Sequence, residues 1–171
     1  MKKWKIIFVL FLAVFFMYGC EKKKEKETVI SNGEKVDTTT MVHEHCTRQG
    51  TMDGGEAELK YDIYYTGDVL NILQAEEKVI SSNDEVLNTY ENAYRGIHEH
   101  YKGLEYYDTN VVRGDTTVTS TIVINYDKLS IPTLISIEGE EDNIFENGVP
   151  KVTKWKEFAK KLGTKCEKVE E

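Results

Sequence analysis

Apolar and polar residues alternate from Glu58 to Tyr65. Leu59, Tyr61, Ile63 and Tyr65 fall on one side, and Glu58, Lys60, Asp62 and Tyr64 on the other. A period of two marks a strand with one buried face. Cys46 to Thr51 reads as the strand before it, joined through a Met52-Asp53-Gly54-Gly55 turn. Thr66-Gly67-Asp68 is the next turn, and Val69 to Ile80 a third strand, in which Val69-Leu70 and Ile72-Leu73 are adjacent apolar pairs. Turns this short join strands that pair antiparallel.

The period then changes. Val86, Leu87, Tyr90, Tyr94, Ile97 and Tyr101 recur at steps of three and four, the spacing of a helix with one apolar stripe. Ser82, Asn83 and Asp84 offer N-cap side chains, and Gly103 is a C-terminal stop. The tyrosine-rich stripe is expected to be the core face of this helix, although such a row could also serve as a ligand platform. Two further strands follow, Leu104 to Val112 and Thr116 to Tyr126, turning at Arg113-Gly114-Asp115. That tripeptide matches an integrin-binding motif, but it sits where a hairpin needs Gly-Asp, and a turn is the simpler reading. Thr117, Thr119, Thr121 and Val123 share one side of the second strand, which should be solvated or lightly covered.

Ser130-Ile131-Pro132 starts a short helix through Ile137, with Pro in its first turn. Gly139 to Gly148 reads as an acidic loop. Thr153 is placed to cap a last helix with Trp155, Phe158, Ala159 and Leu162 on its apolar face and Gly163 at its end. Thr164 to Val169 would be a closing strand. The expected fold is α+β: an antiparallel sheet of about five to six strands with two main helices packed on one face.

The N-terminal quarter adds a second layer. Lys2, Lys3 and Lys5 precede an unbroken apolar run from Ile6 to Tyr18, and Gly19 follows. This is the layout of a secretory signal peptide, too short in its apolar part to span a bilayer comfortably. Met17-Tyr18-Gly19-Cys20 resembles the lipobox of bacterial lipoproteins. That resemblance implies that Cys20 receives a diacylglyceryl group and that cleavage falls before it. Two or three acyl chains on one residue hold a protein firmly, where one holds it marginally. Residues 1–19 are therefore expected to be a signal peptide, with plain secretion as the alternative. From Cys20 to Thr40 the chain is polar and of mixed charge, with Asn32-Gly33 and three consecutive threonines. It reads as a flexible linker. A single domain is expected over residues 41–171.

Without the three signal lysines, 19 basic residues face 30 acidic ones, so the mature chain is near −11. Such a balance argues against nucleic-acid partners and against lying flat on anionic lipid. The expected contact with the membrane is the lipid anchor, on the extracytoplasmic side.

Segments along the domain resemble the YehR-type bacterial lipoproteins. They are Cys46-Thr47-Arg48, Tyr64-Tyr65, Tyr101-Lys102-Gly103-Leu104, Asn125-Tyr126 and Lys161-Leu162-Gly163-Thr164-Lys165-Cys166. The family is of unknown function with an α+β fold, so the resemblance implies fold and location and no activity.

Candidate chemistry is sparse. His43-Glu44-His45 and His98-Glu99-His100 hold all four histidines. In a strand, His43 and His45 point the same way and are weak zinc candidates. On a helix, His98 and His100 point nearly opposite ways. Surface imidazoles are the plainer reading, and no metal or cofactor is expected. No nucleophile elbow or phosphate loop occurs. Glu138, Glu140, Glu141 and Asp142 cluster, but at no calcium-loop spacing. A non-enzymatic ligand- or partner-binding module of the cell envelope is the expectation. A structural or chaperone-like envelope factor and a wall-acting hydrolase or metal-dependent enzyme are the alternatives. The chain has three cysteines. Lipidation takes Cys20, leaving Cys46 and Cys166 in an exported domain, where a disulfide is expected; two buried free thiols are the alternative.

Overall fold

The computed structural model describes residues 28–138 and 144–170. Cys20 and the apolar run before it lie outside the described residues, as do Glu140, Glu141 and Asp142. A small ladder comes first, β1 (Ile30–Ser31) with β2 (Glu34–Lys35). Three long strands follow: β3 (Val42–Met52), β4 (Gly55–Thr66) and β5 (Val69–Ile80). Helix α1 spans Asp84–His100, and β6 (Tyr107–Arg113) and β7 (Thr117–Asn125) form a hairpin. Helix α2 (Ile131–Glu138), the short β8 (Phe145–Glu146) and β9 (Val149–Pro150), helix α3 (Val152–Lys161) and β10 (Lys165–Lys168) complete the chain.

Six strands make one antiparallel sheet in the order β10-β3-β4-β5-β7-β6. One face carries the helices. Ile63, Leu73, Ile124 and Trp155 are buried there in a cluster that also takes in Leu134 of α2 and Phe145. The alternation of β4 sets this up: Ile63 pairs with Leu73 and Tyr61 with Ala75, so one side of every strand feeds the same layer. An irregularity at Tyr64/Tyr65 lets Leu70 and Ile72 both pair with β4, which explains the adjacent apolar pairs of β5. Tyr65 and Leu70 belong to the layer under the helices, while Tyr64 and Ile72 belong to the opposite face.

Three expectations need correction. The stretch up to Thr40 is not all linker. Val29 and Ser31 are buried, and Val29 packs with Tyr64 and Ile72 on the sheet face away from the helices. Asn32 and Gly33, with φ of 52° and 76°, form the tight turn between β1 and β2, for which Asn-Gly is suited. Packing therefore starts well before Met41. Likewise Asn147 and Gly148, both at positive φ, turn β8 into β9 within the segment read as an acidic loop. Third, Thr153 does not cap α3. The N-cap is Lys151, without a side-chain bond, and the Asp68 carboxylate accepts from the Thr153 N–H at 3.1 Å. The cap comes from the β4–β5 turn, far away in sequence.

Candidate functional site

Three polar constellations stand out among the described residues. The first joins the disulfide. Cys46 and Cys166 are cross-strand partners in β3 and β10, bonded to each other, with Cα atoms 4.0 Å apart. Glu44, two residues along β3, shares the buried side. Its carboxylate accepts from the Tyr65 hydroxyl at 2.6 Å and from Lys156 Nζ of α3 at 2.9 Å. Burial alone would raise the Glu44 carboxyl. The bonds from Lys156 and Tyr65 and the charges of Lys156 and Lys168 outweigh it, and hold the group below the usual range. The Tyr65 hydroxyl is pushed up to about 12, chiefly by burial and then by its bond to Glu44. Glu44, Cys46 and Cys166 hold their donor atoms near enough for one metal ion. Both sulfurs are spent in the disulfide, however, and the carboxylate is already occupied, so the set does not fit a metal. Beside this group, Tyr65, Gly67, Asp68, Val152, Thr153, Lys156 and Glu157 line an open depression of about 400 Å³.

The second constellation lies on the opposite face. His43 Nε2 and His45 Nδ1 both meet Asp62 Oδ1, at 2.8 and 3.0 Å, and the His43 ring stacks on Tyr64 at 4.3 Å. The two imidazoles do point the same way, as the strand period requires. They converge on one oxygen of the Asp62 carboxylate at hydrogen-bond distance, beside the Tyr64 against which the N-terminal segment packs.

The third was not foreseen. It occupies the gap between α1 and α3, on the helix-bearing face. Registers across the sheet give one row, Arg48, Leu59, Glu77, Ser120 and Val111, and beside it Cys46, Tyr61, Ala75, Ile122 and Thr109. Helix α3 covers the β3–β4 side: Trp155 meets the Tyr61 ring edge-on at 5.5 Å, and Arg48 donates to the Leu162 carbonyl at 3.1 Å. Helix α1 covers the β5–β7 side: Leu87 packs with Val79 and Val118, and His98 Nε2 lies 3.0 Å from Ser120 Oγ. Between them Tyr61, Ala75, Glu77 and Ile122 stay only partly buried.

Each helix turns apolar residues into this gap. Residues two apart on a helix lie about 200° apart around its axis. Lys156 reaches outward to β3, so Phe158 takes the flank away from it. Glu91 and Arg95, the latter bonded to Glu91, mark the β6 side of α1 through the Glu91–Arg113 pair, so Ile97 takes the flank away from β6. Ile97 and Phe158 are 49% and 47% exposed, which makes them a rim and not a core. The tyrosine stripe of α1 is accordingly not the fully buried face its spacing suggested; within the helix only Leu87 is buried. The reason is that α3 packs over β3 and β4, so among the described residues the Ile97 end of that flank of α1 stays half exposed.

The electrostatics follow from this half-cover. Burial raises the Glu77 carboxyl above its usual range, and the Arg48 charge and a hydrogen bond from Tyr94 only partly oppose it. The Tyr61 hydroxyl is pushed up to about 12 by burial and by the Glu77 charge. Tyr94 is raised by the same two causes, and burial lowers His98. Sequence reasoning missed Glu77 because it is one of two adjacent acids in the charged run Glu76-Glu77-Lys78. The strand alternation was the available signal, since it puts Glu77 on the side of Ala75 and Val79.

Elsewhere, Gly114 donates to the Thr117 carbonyl at 2.8 Å, closing the β6–β7 hairpin, and Arg113 pairs with Asp84. Arg113-Gly114-Asp115 is thus a turn.

No family model and no curated protein matches the sequence. Two solved structures do resemble the fold. The E. coli YehR protein, determined by NMR, aligns at a TM-score of 0.53 and 18% identity, over 78% of this chain and 96% of its own. A protein from Streptococcus pneumoniae, also determined by NMR, aligns at 0.50 and 17% identity, over 87% of this chain and 100% of its own. At these identities what is shared is the fold: the chain has a YehR-like α+β architecture.

Proposed function

We propose that the chain is an extracytoplasmic, lipid-anchored module that binds a ligand or partner without catalysing a reaction, and that the groove between α1 and α3 is its binding face. The observation that carries this is the half-covered middle of the helix-bearing face among the described residues. Tyr61 and Glu77 lie there partly buried, between the exposed side chains of Ile97 and Phe158. Apolar area held open beside a few convergent polar groups is what a recognition site requires. The location rests on Lys2 to Cys20 and is supported by the Cys46–Cys166 bond, which suits an oxidising compartment. The non-enzymatic reading is supported by how the polar groups are spent. Glu44 is bound by Lys156, Asp62 is shared by two histidines, and Ser120, 3% exposed beneath His98, is out of reach of a substrate.

Site-specific photo-crosslinkers at Ile97, Phe158 and, as a control, the exposed Val112 test the reading in the exporting host. Adducts of one discrete mass at the first two positions and not at the third are expected. Equal adducts at all three, or none, would remove the groove as a binding face and leave the structural-factor alternative in its place.

A further inference from the structure

We propose that the groove takes a small organic cation, whose ammonium group sits on Glu77 among the rings of Tyr61, Tyr90 and Tyr94. This deepens the binding-module reading and rests on it.

Glu77 is an acid in the wrong place for structure alone. Along β5 its neighbours on the same face are Ala75 and Val79, and across the ladder they are Leu59 and Ser120. Among the described residues no lysine or arginine lies within ion-pairing distance of it. Other acids of the sheet are paired, Glu76 with Lys60 at 2.9 Å and Glu58 with Lys78 at 3.7 Å, both on the opposite face. Arg48 contributes charge from beyond Leu59, but its guanidinium is held by the Leu162 carbonyl. A carboxylate in apolar surroundings without a counter-ion costs folding free energy, and a bound cation would offset that cost.

The aromatic rings decide the kind of cation. Tyr90 and Tyr94 of α1 lie 6.2 Å apart, centroid to centroid, and the Tyr94 hydroxyl donates to Glu77. Tyr61, paired with Ala75 on the same face of the sheet, meets Trp155 edge-on. Ring faces attract ammonium and quaternary ammonium ions, most strongly where water is partly excluded. A hard metal ion would need several oxygen ligands, and here it would find one carboxylate and phenols that stay protonated at neutral pH. Ile97 and Phe158 at the rim leave apolar surface for alkyl substituents on the nitrogen.

The test is a titration of the full-length protein, isotope-labelled and held in nonionic micelles, followed by amide NMR. Tetramethylammonium chloride is the probe, sodium chloride at equal ionic strength the salt control, and tert-butanol the uncharged analogue. Saturable shifts at Tyr61, Glu77 and Tyr94 with tetramethylammonium alone are expected. Glu77→Gln should weaken them by at least about tenfold, because it removes the charge attraction between the carboxylate and the quaternary ammonium at a partly desolvated site. Glu76→Gln, on the other face, should leave them unchanged, and melting curves of both variants confirm that they fold. No saturable shift with tetramethylammonium, or equal weakening by the two variants, overturns the proposal. If tert-butanol shifts the same amides and tetramethylammonium does not, the groove survives as a binding face and the ammonium ligand does not.

Discussion

Cys46 and Cys166 sit directly opposite each other in β3 and β10, 120 residues apart in the chain and joined by a disulfide. The bond ties the first long strand to the last, so it closes almost the whole described domain into one loop. In the chain-entropy account, closing a loop of about 100 residues stabilises by roughly 4–5 kcal/mol. A Cys46→Ala/Cys166→Ala variant should lose a large part of that in urea unfolding. The loss should show as a lower midpoint with β10 exchanging its amides first. A midpoint within error of the parent protein would mean that the bond is dispensable.

Glu44 and Lys156 invite a second measurement. Glu44 is 4% exposed and Lys156 40% exposed. Removing one member of a buried pair strands the other charge, at a cost of about 3–5 kcal/mol when both are fully buried. With Lys156 partly in water, Lys156→Met should cost about 1–3 kcal/mol. Glu44→Gln/Lys156→Met together should cost less than Lys156→Met alone. Additive losses in the double variant would contradict the pairing. The pH dependence has a definite sign. The folded Glu44 carboxyl lies below its ordinary 4.5, so its contribution is present above that value and is lost as pH falls through the lowered one.

Glu77 has the opposite sign. Its folded carboxyl is raised, so the folded protein holds that proton more tightly than the unfolded chain. Ionised Glu77 is thus a destabilising group at neutral pH, and the penalty disappears as pH falls below the raised value. Glu77→Gln should melt higher than the parent protein at pH 7, with the gain shrinking in acid. A variant that melts lower at pH 7 would show that the Arg48 charge and the Tyr94 bond outweigh burial.

Asp68 supplies the N-terminal cap of α3 from another turn. Asp68→Ala should therefore lower the melting temperature, and Thr153→Ala should lower it less, because it removes the hydroxyl bond to Asp68 and leaves the backbone N–H bond in place. The reverse order in calorimetry would restore Thr153 as the cap.

Anchoring is open to a simple experiment. Cys20→Ser should move the protein from the membrane pellet to the soluble fraction of fractionated cells. Retention in the pellet would end the lipid-anchor reading.

Some of this was legible in the chain itself. The period of two in β4 and of three and four in α1 is local, so it fixed strand and helix directly, and short turns fixed the antiparallel order. Asn32-Gly33 and Asn147-Gly148 were readable as hairpin turns too, but each is flanked by only two residues of strand on either side, too few to show alternation. Counting cysteines led to the Cys46–Cys166 pair because only two remained. What the sequence could not hold was distance between elements. Whether α1 and α3 touch depends on where α3 crosses the sheet, and that is set by Trp155 on Tyr61, Lys156 on Glu44 and Asp68 on Thr153, contacts between segments far apart in the chain. Periodicity reports which side of a helix is apolar. It does not report whether a neighbour arrives to cover it, and so only the tertiary structure showed that the tyrosine stripe of α1 is half-covered and that Glu77 lies partly buried beside it.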